Sequence, residues 1–90
     1  QLAVPSGEDT VRILIWERGV GRTASSGTSA CAVASACVAR GALAPGRIRV
    51  RMEGGDFRVT VDEDRGVRLE GPVSPVMEGE LTVEFQKSLF

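Results

Sequence analysis

The sequence predicts an α+β fold in which an antiparallel or mixed β-sheet wraps around one central apolar helix. Three observations carry the prediction. A β-branched and aromatic run, VRILIW, occupies residues 11–16; a tract of Ala, Ser, Cys and Val almost free of charge runs from about Thr28 to Arg40; and the second half switches to period-two alternation. Ninety residues make a single domain, 1–90, with room for one modest core.

In chain order, QLAV reads as a first strand that is already under way at Gln1, which suggests a piece of a longer protein. A turn around PSGEDT leads into VRILIW, expected to be a buried strand. That strand ends at ERGVG, where Gly19 and Gly21 allow a sharp bend. The small-residue tract is stopped by Gly41 and then Pro45. A helix apolar all round is expected to be covered on all sides.

RIRVRME and DFRVTVD then alternate on either side of Gly54 and Gly55, which suit a two-residue hairpin loop. Pairing across that loop sets Met52 opposite Phe57, Val50 opposite Val59 and Ile48 opposite Val61 on one face. The other face sets Arg51 against Arg58 and Glu53 against Asp56, with the diagonal opposite charges offsetting the like-charged pairs. Further strands are expected at GVRLEG and ELTVEF, separated by PVSPVMEG, whose Pro72 and Pro75 confine it to an edge or a connection.

Composition narrows the function classes. Eleven basic against twelve acidic residues give no field suited to nucleic acid or an anionic membrane surface. Arg47, Arg49, Arg51 and Arg58 form a stripe that acidic neighbours blunt and few aromatics accompany, so it reads as a solvated sheet face. No apolar run reaches the roughly 20 residues of a membrane span. Cys31 and Cys37, six apart within the helical tract, are expected to be reduced and buried, which fits a cytoplasmic protein. With no His, an all-protein zinc site has too few ligands.

The candidate site is the helix start. The first N–H groups of a helix lack internal acceptors and carry the positive end of its dipole. Ser25, Ser26, Gly27 and Thr28 lie there, and such a start receives a carboxylate or phosphate well. Arg18 can pair with a second anionic group, and Glu17 can receive an ammonium, so the set suits an amino acid. A plainer reading stands beside it: a Ser before an apolar helix is first an N-cap, and a Glu and Arg at a strand end are commonly an exposed ion pair.

At these residues the chain resembles the diaminopimelate epimerase family. WERGVG at 16–21 is similar to the family's ERGxGET segment and SGTSACA at 26–32 to its CGTGACA segment. MEGGDFRVTV and VRLEGPVSPVMEGE resemble its closing hairpin and last strands. The resemblance implies the second half of a cofactor-independent isomerase of two similar halves, each a sheet around a central helix. It interconverts LL- and meso-diaminopimelate, in lysine biosynthesis, with one thiol from each half acting on opposite faces of the α-carbon. The implied partner is the N-terminal half of the same protein or a partner chain, without which the active site is incomplete; a homodimer is a further expectation.

Residue by residue, the resemblance places Glu17 and Arg18 at the distal amino-acid end of the substrate and Gly27 and Thr28 at its α-carboxylate. Ser26 falls at the catalytic cysteine, and Arg22 replaces the second Glu of ERGxGET. A serine hydroxyl ionises far above a thiol's pKa of about 8.5 and needs a neighbouring base, so impaired or altered activity is expected. Cys31 lies more than a turn further into the helix, at a position the resemblance makes structural. Two alternatives remain open: a non-catalytic amino-acid or anion-binding module, and a one-base isomerase or lyase of the same fold.

Overall fold

The computed structural model describes residues 1–89. Strands β1 (Leu2–Pro5), β2 (Thr10–Glu17) and β3 (Gly21–Thr23) lead into helix α1 (Gly27–Ala39); β4 (Gly46–Met52), β5 (Gly55–Val61), β6 (Val67–Glu70) and a short helix α2 (Val83–Ser88) follow. The sheet runs β1-β2-β4-β5-β6, with β3 paired to β2. It is mixed, because α1 carries the chain across to place β4 parallel to β2, while the other pairings are antiparallel.

One face of the sheet packs on α1. Val11, Ile13 and Ile15 of β2, Ile48, Val50 and Met52 of β4, and Val59 and Val61 of β5 meet Ala30, Val33, Ala34 and Cys37 of the helix. The alternation along β2 is strict: Arg12, Leu14 and Trp16 point to the opposite face, and Trp16 is 74% exposed. VRILIW is therefore buried on one face only, a correction to its expected full burial.

The helix departs from expectation in the same way. Ser29, Ala30, Val33, Ala34 and Cys37 form a buried stripe, while Thr28, Ala32, Ala36 and Ala39 are exposed. The sheet supplies a single layer, and it covers one side of a helix whose composition would suit cover all round. The end of α1 follows the sequence closely. Gly41, at φ 77°, donates to the Val38 carbonyl and Ala42 to that of Cys37, a Schellman cap in which the left-handed residue is the glycine.

The β4–β5 hairpin forms with a register two residues from the expected one. Ile48 pairs with Val59, Val50 with Phe57, Arg51 with Asp56 and Met52 with Gly55, so the turn is Glu53–Gly54 and not Gly54–Gly55. A slip of two keeps every side chain on its own face, so burial alone does not resist it. The Arg51–Arg58 and Glu53–Asp56 oppositions are thereby replaced: Arg49 Nη2 lies 2.6 Å and Arg51 Nε 3.8 Å from the Asp56 carboxylate. The arginine face remains solvated, with Arg47 and Arg51 exposed and Arg49 and Arg58 half-buried.

Beyond β6 the chain leaves the sheet. Residues 71–82 take no regular secondary structure and are exposed throughout. The strand expected at ELTVEF is instead the approach to α2: Thr82 Oγ1 caps the helix by accepting from Phe85 N–H at 3.2 Å, and Glu84 and Lys87 sit at the ends their charges favour. A strand needs a neighbour for its backbone groups, and among the described residues this segment has none; a locally satisfied turn of helix stands in its place. No helix among the described residues is long and apolar enough to cross a membrane.

Candidate functional site

Ser26 has extended backbone angles, φ −155° and ψ 120°, and caps α1: its Oγ accepts from Ser29 N–H at 3.2 Å and its carbonyl from Ala30 N–H at 3.0 Å. The plain capping role is thus present. It leaves the N–H groups of Gly27 and Thr28 without an acceptor among the described residues. Gly27 also makes room for a neighbour, since a Cβ there would lie 2.9 Å from Leu69 Cδ2. Ser29, buried beneath the cap, accepts from Gln1 Nε2 at 2.8 Å.

Glu17 and Arg18 sit at the tip of the β2–β3 hairpin. Val20 N–H donates to the Glu17 carbonyl at 3.2 Å, and Gly19 at φ 79° supplies the positive φ such a turn requires. Glu17 is half-buried and Arg18 exposed. Neither side chain forms an ion pair among the described residues, including with the other, so the exposed-pair reading of Glu17 and Arg18 does not describe this hairpin. Ser26, Gly27 and Thr28 are adjacent, whereas no hydrogen bond or ion pair ties Glu17 or Arg18 to them.

Arg22 turns back from the hairpin tip. Its Nε lies 2.9 Å from Glu53 Oε2 in the β4–β5 turn, and Gly54 of that turn donates its N–H to the Ala24 carbonyl at 2.7 Å. The sequence singled out Arg22 but not these partners, which lie about thirty positions along the chain and carry no local signature.

The two thiols lie further into α1. Burial pushes the Cys37 thiol above its ordinary range, with the positive charge of Arg40 partly opposing, so the group is a neutral core side chain. Cys31 is half-buried and both are free, so the expected full burial applies to Cys37 alone. Among the described residues, no three carboxylates or thiols gather as a metal site would require.

The chain matches the family model described as diaminopimelate epimerase over residues 1–82. It is 44% identical over 73 residues to the diaminopimelate epimerase of Acidiphilium cryptum, covering 81% of this chain and 26% of that protein. It is 41% identical over 76 residues to that of Bacteroides thetaiotaomicron, 83% of this chain and 28% of the relative. The corresponding protein of Methanococcus maripaludis is 38% identical over 77 residues, 84% and 27%. The chain therefore spans about a quarter of the length of the curated relatives it matches. The matched region holds the hairpin, the capped helix start and the closing hairpin, and by its extent the chain belongs to the diaminopimelate epimerase family.

Proposed function

We propose that this chain supplies the α-carboxylate cradle and one proton-transfer position of a cofactor-independent isomerase acting on diaminopimelate, the rest of the active site coming from the N-terminal half of the same protein or from a partner chain. The observation that carries the reading is the pair of amides at Gly27 and Thr28, without an acceptor among the described residues, directly after Ser26 and inside the matched region. Two N–H donors at a helix start suit a carboxylate, and the same field would stabilise the negative charge that develops when the α-proton leaves. Glu17 and Arg18 would meet the distal amino and carboxylate groups.

In this reading Ser26 stands at the family's thiol position. Its oxygen already accepts the Ser29 N–H, which favours an acceptor role over a base at neutral pH. The exposed stripe of Ala32, Ala36 and Ala39 is small enough for strands to approach closely, which supports a sheet that closes around α1 only when the rest of the protein is present.

The test is reconstitution. The chain is co-expressed with the complementary part of the Acidiphilium cryptum relative, and α-proton exchange of diaminopimelate is followed in heavy water. Ser26→Cys is expected to raise exchange by about 10²-fold or more, the usual worth of a positioned acid or base. An unchanged rate would remove Ser26 from the proton-transfer position; retained binding with no exchange in either form would favour the non-catalytic module.

A further inference from the structure

We propose that the β4–β5 turn is a positioning element for the candidate site: Gly54 and Glu53 hold the connection between β3 and α1, and through it set the place of Ser26 and the first amides of the helix. The inference rests on the reading of that helix start as a carboxylate cradle.

Two ties converge on the connection. Gly54 N–H donates to the Ala24 carbonyl at 2.7 Å, and the Arg22 guanidinium meets the Glu53 carboxylate at 2.9 Å. They grip residues on either side of Thr23, whose strand is itself paired to β2 at Ile15. Ser25 alone separates the held Ala24 from the cap, so a displacement of Ala24 has little chain in which to dissipate. Both ionic side chains are about half exposed or more, 65% for Arg22 and 47% for Glu53, so the ion pair contributes direction more than strength.

Gly54 is a glycine for space. A Cβ there would lie 3.0 Å from the Ala24 oxygen, 3.1 Å from Ser25 Cβ and 3.2 Å from the Ala24 carbonyl carbon. Two of those atoms belong to the backbone of the connection, which cannot rotate away as a side-chain end would. The φ of Gly54 is outside the left-handed region, so alanine there is unstrained by its own backbone and acts only by pushing on residues 24 and 25. Gly55 is the converse: φ is 140° and nothing lies within 4 Å of its would-be Cβ. Alanine at 55 strains the hairpin without touching the connection. The two neighbouring glycines therefore separate a positioning role from the general integrity of the hairpin.

The experiment uses the isotope-labelled chain. Amide shifts of residues 24–28 and the hydrogen exchange of Ser29 N–H are read first without ligand, then diaminopimelate is titrated into the labelled chain reconstituted with the complementary part. Gly54→Ala is expected to move the amides of residues 24–28, to speed exchange at Ser29 and to weaken diaminopimelate binding roughly tenfold, since small misplacements of positioned groups are costly. Gly55→Ala is expected to lower the melting temperature while leaving those amides in place. Glu53→Arg should reproduce the amide shifts in part, and adding Arg22→Glu should restore them. Unmoved amides in Gly54→Ala, or equal movement in Gly55→Ala, would overturn the proposal. Failure of the reconstituted native protein to bind diaminopimelate would instead count against the carboxylate cradle, while the ligand-free amide shifts still decide whether the turn positions the helix start.

Discussion

Ser26 joins in one oxygen the cap of α1 and the proposed proton-transfer position. The cap it makes has an ordinary energetic value: Ser26→Ala is expected to cost about 1 kcal/mol of stability, measured by denaturant unfolding. Ser26→Cys separates the cap from the chemistry, because a thiol caps poorly but ionises far more readily than a hydroxyl. Cys37 makes the complementary case. Its raised pKa keeps it neutral at a pH where an unfolded thiol begins to ionise, so the folded state loses stability as pH climbs past the unfolded pKa toward the folded one. Alkylation at pH 8 is accordingly expected at half-buried Cys31 well before Cys37, a difference that mass spectrometry of the partially modified chain would read.

Among the elements, α1 shows how locally encoded its ends are. Serine at the start and glycine at position 41 do the work that any isolated helix would ask of them. Gly41→Ala forces a Cβ into φ 77° and is expected to cost about 1 kcal/mol. Ile48, 1% exposed between β2 and β5, is the core counterpart: Ile48→Ala should cost roughly 2–5 kcal/mol, in keeping with an unrelieved cavity. Equal costs at the two positions, read from chemical denaturation, would contradict this division between cap and core.

The β4–β5 hairpin marks the limit of local reading. Its strands, faces and approximate turn follow from alternation and from two glycines. Its register does not, since pairings two residues apart bury the same side chains; the one adopted is accompanied by the Gly54 N–H bond to the Ala24 carbonyl and by the pairing of Arg49 with Asp56. ELTVEF shows the same limit from the other side. Its alternation is real, but a strand is a relation between two segments, and among the described residues this one has no partner.

Across the whole molecule, one sheet layer on one side of α1 leaves an apolar helix face bare and β1 exposed along its length. Substitution on the bare face should therefore be silent in the chain alone and decisive in the assembled protein. Ala36→Glu is expected to change the unfolding free energy of the isolated chain by about 0.5 kcal/mol or less, as exposed sites do. The same variant should abolish reconstitution with the complementary part, read by co-purification; undiminished reconstitution would show that this face stays in solvent. Residues 71–82, exposed and outside any regular element, should be the first segment cut by a dilute protease, with the sheet and α1 surviving as a core.

By itself the sequence determined the order of the elements up to β6 apart from β3, the helix ends and the bend at Gly19 and Gly21, because each depends on neighbours a few residues away. Only the tertiary structure decided the hairpin register, the single-sided burial of α1 and β2, and the union of Arg22 and Ala24 with the Glu53–Gly54 turn. Local conformational preference is written in adjacent residues; the distance of closest approach between segments thirty residues apart is set by what packs between and around them.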